Sequence, residues 1–274
     1  MRSLDTNKIL EFATDSMRTR LAFIKVFDEI PSTNSYLMGI ESPNLGGMSV
    51  AVTTNQTAGR GRHGKTWKSP PGTGLCLSVA YTFASQLGNL PALTLAIGIG
   101  VTDALRDLNI KGVKLKWPND LVASGGKLGG ILTEVRQQSA STVTVVTGIG
   151  INVNLSSNVD FGIEKDWAPK VIDLKSICND LPSNNQLIGQ FINYLLKTFS
   201  DYEASGFASF VERWSELDWL LGREITVVTN DNQFFGLGAG VADDGALLID
   251  TQQFGICKVT SGTISIDQTQ GGLK

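Results

Sequence analysis

Histidine occurs once in this chain and cysteine three times, and neither can build much. A lone His63 cannot join a multi-histidine metal site. No Gly-x-Ser-x-Gly elbow supplies a nucleophile for it to serve, so it reads as a loop residue. Cys76, Cys178 and Cys257 are far apart and odd in number, which excludes a disulfide framework and a zinc spacing. Cys76 lies in an apolar run and reads as core filling rather than as a nucleophile. Long apolar runs are missing too. The longest, residues 93–101, is interrupted by Thr94 and two glycines and is far short of the ~20 residues a membrane span needs. Residues 1–21 carry charges throughout and lack the apolar centre of a secretory signal. A cytoplasmic protein with no membrane partner is expected. Strong charge of either sign is also absent. A net charge of −3 gives no broad basic field, so DNA is not expected as a partner. Nothing before residue 25 has room for the three packed helices of a DNA-binding module.

What is present is an ordinary globular composition, 42% hydrophobic and 18% charged, in a length that suits one large domain and a small one. Residues 4–14 suit a short helix and 25–30 a strand. Ser32, Thr33 and Asn34 look like a helix start, with side chains able to cap free N–H groups. Strands are expected at 48–54, 75–83, 113–116 and 142–153, and a hairpin over 121–135 that turns at 124–126. Apolar residues three and four apart predict helices over 90–108 and 188–202, with a shorter one at 207–217. Gly98 and Gly100 inside the first helix suggest tight packing on a sheet. From Gly222 the chain changes to short strands and turns, at 223–229, 233–241, 245–250, 254–259 and 262–266. This predicts an α+β domain over 1–221 with a small barrel appended over 222–274.

Four segments carry chemistry. Residues 59–67 alternate glycines with Arg60, Arg62 and Lys65 and end at Trp67. Glycines let backbone N–H groups close on an anion, and each arginine can grip a carboxylate or phosphate at two points. A mobile, solvated loop has the same composition. The spacing is not that of a P-loop. Lys116, Trp117, Pro118, Asn119 and Asp120 place polar groups at a strand end, where they suit a site or only a turn. Lys127 enters a glycine-rich apolar strand. A charge there needs a partner, which an anionic ligand would supply, unless the lysine only guards an edge strand. Gly148, Gly150 and Asn152 end a strand with room for a flat ring, or mark a strand that finishes in a turn.

Taken in order, Ser32-Thr33-Asn34, residues 56–62, 116–120, 127–132 and 148–152 resemble the motifs of the biotin–protein ligase family. Gly222-Arg223 and residues 244–248 resemble its C-terminal barrel. The likeness runs from about residue 25 to 266, most of the chain. It implies a mixed β-sheet flanked by helices, like the class II aminoacyl-tRNA synthetase catalytic domain, followed by an SH3-like barrel. It also implies a two-step reaction with biotin as substrate and ATP with Mg²⁺. Biotinyl-5′-adenylate forms first, and a lysine on a biotin carboxyl carrier protein then attacks it. Two anions must meet in the first step, so cations matter more than a protein nucleophile.

Carried over by residue, the resemblance assigns Ser32, Thr33, Asn34 and Gln56 to the biotin head. Arg60, Gly61 and Arg62 would cover biotin and the anhydride. Lys127 would steady the carboxylate and α-phosphate, and with Arg62 it is the expected catalytic residue. Lys65, Trp67, Asn119 and Asn152 would lie by the nucleotide, and Asp120 would orient the acceptor lysine. No side chain is expected to bind a metal directly, and a homodimer is left open. His63 and Lys65 depart from the family, which more often has arginine at both. At 65, lysine keeps the charge but loses the two-point geometry. With the first motif at residue 32, a ligase without repressor function is expected. A lipoate or octanoate transferase of the same fold and a ligand-responsive regulator are the alternatives. Polar residues at 32–34 and 56 favour a ureido ring over an aliphatic chain.

Overall fold

The computed structural model describes residues 4–84, 90–139, 141–155, 171–229 and 231–266. Seven strands make the larger sheet: β1 (Leu21–Phe27), β2 (Met48–Thr53), β3 (Gly74–Phe83), β4 (Val113–Lys116), β5 (Asp120–Ala123), β6 (Gly126–Gln138) and β7 (Val143–Asn152). Their spatial order is β1-β2-β3-β7-β6-β5-β4. β1 and β2 run parallel and the other neighbours antiparallel, so the sheet is mixed.

Strand β3 shows why the two faces differ. Leu75, Leu77, Val79, Tyr81 and Phe83 point into the main core, beneath α4 (Leu90–Asp107) and α5 (Asn184–Ser205). The rings of Tyr81 and Phe83 lie 4.7 and 5.7 Å from that of Phe199 on α5. The alternate residues Cys76, Ser78, Ala80 and Thr82 face the other way, as a period of two requires. There α3 (Thr33–Gly39) covers part of the sheet, around Leu37, Ala51, Ala80 and Val146. The rest of that face is small or polar and borders a cavity.

The two glycines of α4 serve different neighbours. A Cβ on Gly98 would meet Leu115 of β4 at 3.1 Å, so this residue lets the helix settle on the sheet. A Cβ on Gly100 would stand 2.3 Å from Thr198 Oγ1, so that residue lets α5 approach α4. At the β5–β6 turn, Ser124 and Gly125 have φ of 46° and 70°. Two left-handed residues in succession match the twist of a tight hairpin, and glycine takes the second without strain.

Local pattern misjudged some boundaries. β1 was expected at 25–30 but begins at Leu21, in parallel register with β2, and Ile30 keeps only one bridge, to Gln56. The helix expected over 4–14 is shorter, α1 (Thr6–Leu10) capped by Asp5, and a second helix that was not expected, α2 (Asp15–Arg20), follows from the cap at Thr14. The segment 207–217 divides into a 3₁₀ turn, Phe207–Phe210, and α6 (Val211–Leu217).

The C-terminal strands are β8 (Glu224–Val228), β9 (Gln233–Val241), β10 (Leu247–Thr251), β11 (Gly255–Val259) and β12 (Thr263–Ile266). They form one antiparallel sheet in the order β11-β10-β9-β8-β12. The expectation of an SH3-like barrel is therefore corrected: β11 and β12 are both edges, and the ladder does not close. Strand number and turn spacing are the same for an open sheet and a barrel, so the sequence could not separate them. The connection between the last two strands decides it. Gly262 lies against β8, where a Cβ would stand 2.9 Å from Val228 O, and β12 pairs with β8 instead of returning to β11. The two sheets are tied through β4. Trp117 Nε1 donates to Gly245 O at 3.0 Å, and Trp219 N donates to Leu115 O at 2.8 Å. No helix among the described residues is long and apolar enough to cross a membrane.

Gly100→Ala tests the helix contact. Alanine favours a helix by about 1 kcal/mol over glycine, yet the clash with Thr198 should lower stability by about 1–3 kcal/mol. Urea unfolding of the variant should show this loss, and adding Thr198→Ala should recover most of it. A stabilised Gly100→Ala protein would mean that the helices do not meet at this residue.

Candidate functional site

Glycines clear the floor of the cavity. On β7, a Cβ at Gly148 would stand 2.4 Å from Asn34 Oδ1, and one at Gly150 would stand 2.5 Å from the Trp67 ring. Asn34 and Trp67 can lie flat on the sheet only because both positions are bare. The space so bounded is about 480 Å³. Ser32, Thr33, Asn34, Gln56, Arg60, Gly61, Arg62, Lys65, Trp67, Asn119, Asp120, Lys127 and Asn152 all line it, so the structure brings together every residue to which the resemblance assigns a role, while Trp117, within residues 116–120, lies outside the lining.

One part of the wall is a neutral hydrogen-bond network. Ser32 caps α3, its hydroxyl accepting from Ser35 N at 3.3 Å. Thr33 N donates to Gln56 Oε1 at 2.8 Å, and the Thr33 hydroxyl lies 2.6 Å from Ser78 Oγ. Ser78 donates to Asn34 Oδ1 at 2.6 Å. Asn34 Nδ2 donates to Leu132 O at 3.2 Å and to Glu134 Oε2 at 2.9 Å. Arg60 grips the same Glu134 carboxylate at two points, 2.9 and 2.7 Å. Both amide protons of Asn34 are thus committed within the protein, which makes it an organiser of this wall.

The other part is charged. Roughly 20 Å of β6 separates Glu134 from Lys127 at strand rise. Lys127 Nζ lies 2.6 Å from Asp120 Oδ1, and Lys116 Nζ lies 3.7 Å from Asp120 Oδ2. Asp120 and Lys116 are buried and Lys127 is partly exposed. Arg62 Nη1 reaches Asn119 Oδ1 at 3.4 Å. Burial pushes the Asp120 carboxyl upward, but Lys127 and Lys116 outweigh it and hold it below the usual range. Burial brings the Lys116 ammonium down to about 8, against the pull of Asp120. Burial also lowers the Arg62 guanidinium, again opposed by Asp120. Three cations facing one carboxylate leave an excess of positive charge in a sheltered place, where an anion is the natural complement. β6 lies between β5 and β7, so Lys127 is not guarding an edge.

Asn119 and Asn152 also hold backbone. Asn119 Nδ2 donates to Ile131 O at 2.9 Å, and Asn152 Nδ2 donates to Lys127 O at 3.3 Å and Ile172 O at 3.1 Å. The basic loop is folded on itself. Gly61 N donates to Lys65 O at 2.7 Å, Lys65 N to Arg62 O at 3.0 Å, and Trp67 N to Gly59 O at 3.0 Å. His63 takes the left-handed region at φ 53° in a 3₁₀ turn over Arg62–Gly64. Cys76, expected to fill the core, is buried but on the cavity face; burial pushes its thiol up to about 11, so it is protonated at neutral pH.

Sequence reading missed Ser78, Glu134 and Lys116. The only trace of Ser78 was a hydroxyl in a largely apolar strand. Glu134 carried no mark, because a glutamate on a strand is ordinarily taken to face solvent. Lys116 stood inside a segment already noted but not among its chosen residues. Gly262, Thr263 and Ile264 of the C-terminal sheet also line the cavity. Among the described residues, no group of histidine, cysteine and carboxylate side chains is arranged to hold a metal ion.

Comparison with known proteins adds a family to this geometry. Residues 26–152 match the Biotin/lipoate A/B protein ligase family. The bifunctional ligase/repressor BirA of Escherichia coli (strain K12) is 32% identical over 239 residues, which cover 87% of this chain and 72% of BirA. The biotin–[acetyl-CoA-carboxylase] ligase of Paracoccus denitrificans is 29% identical over 229 residues, 80% of this chain and 90% of that protein. Among solved structures, the biotin protein ligase from Aquifex aeolicus in complex with biotin and ATP matches with a TM-score of 0.74 at 27% identity. That match covers 90% of this chain and 99% of the other.

Gly150→Ala should displace Trp67 and loosen the basic loop. Tryptic cleavage between residues 59 and 68 should quicken and tryptophan emission should change, at a stability cost of about 1–3 kcal/mol. Cleavage and emission like those of the wild type would show that the loop does not depend on this contact.

Proposed function

The chain belongs to the biotin–protein ligase family and is an adenylate-forming biotin ligase, and on that premise we propose how its cavity divides the work. The observation that carries the proposal is the pairing of a neutral polar wall with a cationic one in a single cavity. Biotin has the same two halves, a neutral ureido ring and a carboxylate.

The ring lies at the wall of Ser32, Thr33, Asn34 and Gln56. Thr33 and Gln56 face it, while Asn34 and Ser78 hold them in place. The carboxylate points toward Lys127 and Arg62. ATP enters beside it, with its base and ribose near Trp67, Asn119 and Asn152 and its phosphates near Lys65. The biotin carboxylate then attacks the α-phosphorus, and pyrophosphate leaves with the electrons of the broken P–O bond. Lys127 and Arg62 offset the charge that the two anions bring together. Arg60 and Gly61 cover the biotin half, so the loop shields the mixed anhydride from water. Among the described residues no group of three or more histidine, cysteine and carboxylate side chains is placed to hold Mg²⁺. Mg²⁺ would accompany the phosphates of ATP, in keeping with its preference for phosphate and water oxygens.

In the second step an acceptor lysine of a biotin carboxyl carrier domain attacks the biotinyl carbonyl carbon. The carbon–oxygen bond to AMP breaks and AMP leaves. Asp120 orients the incoming amine.

Incubation with MgATP, labelled biotin and a carrier domain of a biotin-dependent carboxylase should place label on the carrier. Transfer of lipoate in the absence of biotin transfer would overturn the substrate assignment. Lys127→Ala should lower biotin-dependent pyrophosphate release about 10²–10³-fold, the scale of losing one charge-stabilising donor. Its fold should survive, because Asp120 keeps Lys116. Pyrophosphate release at the wild-type rate would remove Lys127 from the first step.

A further inference from the structure

Lys116 lines the cavity but has no part in either step above. It closes β4, is buried, and lies 3.7 Å from Asp120 Oδ2. Asp120 has a second cation, Lys127, at 2.6 Å on its other oxygen. The two lysines differ in freedom. Lys127 is 27% exposed at its side chain and Lys116 is 4% exposed. A ligand carboxylate or phosphate can therefore draw Lys127 away from Asp120, whereas Lys116 has little room to follow. Without a cation, a buried carboxylate takes up a proton more readily. With Lys116 beside it, Asp120 can stay ionised while Lys127 serves the ligand.

We propose that Lys116 is a positioning residue for the transfer step, the fixed cation that keeps Asp120 a carboxylate after Lys127 has turned to the adenylate. This rests on the ligase reading. The acceptor lysine arrives as an ammonium. Asp120 accepts its hydrogen bond and one proton and passes that proton to solvent. The freed amine attacks the biotinyl carbonyl carbon, and the bond to the AMP oxygen breaks with its electron pair going to AMP. The second N–H proton of the new amide nitrogen also goes to solvent. The charged groups facing Lys116 are Asp120 from β5, Lys127 from β6 and Arg62 from the loop. Lys114 on the same strand is turned toward Glu216 O.

The test separates the half-reactions in the full chain. Pyrophosphate release with biotin and MgATP reads the first. Single-turnover transfer from bound adenylate to a carrier domain, followed across roughly pH 5.5 to 9, reads the second. In Lys116→Met, transfer should fall about ten-fold more than adenylate formation. The acid limb of its pH profile should move upward, because Asp120 then protonates more readily. Lys116→Arg should restore most of the transfer rate and the wild-type limb. Equal losses in both half-reactions, or a transfer profile that does not move, would overturn the proposal. Should Lys116→Met not fold, Lys116→Gln carries the same expectations. A wild-type chain that releases no pyrophosphate with biotin would instead overturn the ligase reading itself.

Discussion

A carboxylate with little access to water sets the terms for this site. Asp120 is buried, and an ionised carboxylate in such a place costs several kcal/mol unless cations and hydrogen bonds offset it. Lys127 and Lys116 do so from the two neighbouring strands, with Arg62 contributing from the loop above. The arrangement overshoots: three positive groups answer one negative one. Glu134, far along β6, does not relax the excess, because it is committed to Arg60 and Asn34. What remains is a demand for anions from outside. A carboxylate and a triphosphate, which repel each other in water, are suited to meet there.

The same strands that carry these charges also carry the core, and the period of two keeps the functions apart. On β3, leucine, valine and aromatic residues alternate with cysteine, serine, alanine and threonine. On β7, isoleucine and valine alternate with Gly148, Gly150 and Asn152. One face packs under α4 and α5 and the other borders the cavity. Much of this was legible in the sequence, since alternation, turn residues and helical spacing are local. The glycines of β7 could be read as room for a flat ring, and Trp67 occupies that room at Gly150. The ordered set of motifs pointed to the cavity's lining before any contact was known.

What was not legible depended on pairing across distance. Ser78 gains meaning only because β3 lies under Asn34, and Glu134 only because the loop brings Arg60 within 2.7 Å. Neither has a local signature. Closure of the C-terminal strands was misjudged for the same reason, since it turns on which strand Gly262 leads into. Lys116 stood beside residues that were chosen, yet its burial is a property of the β4–β5 pairing and of the C-terminal sheet docked through Trp117.

The basic loop shows how these constraints combine. Its composition fits a mobile segment, but its backbone makes cross-links within residues 59–67, and Trp67 anchors it on Gly150. Arg60 and Arg62, two residues apart, reach opposite walls: Arg60 the carboxylate of Glu134, and Arg62 the amide of Asn119. A loop that spans a cavity in this way can respond to both ends at once. A ligand that competes for Arg62 alters one attachment while the other holds. His63 takes a left-handed turn, a region that histidine enters more readily than most side chains. Lys65 contributes its backbone to the turn whichever side chain it carries, through bonds at both its N–H and its carbonyl. Lysine rather than arginine at 65 therefore leaves these backbone bonds intact and changes only the side chain, which lacks an arginine's two-point geometry.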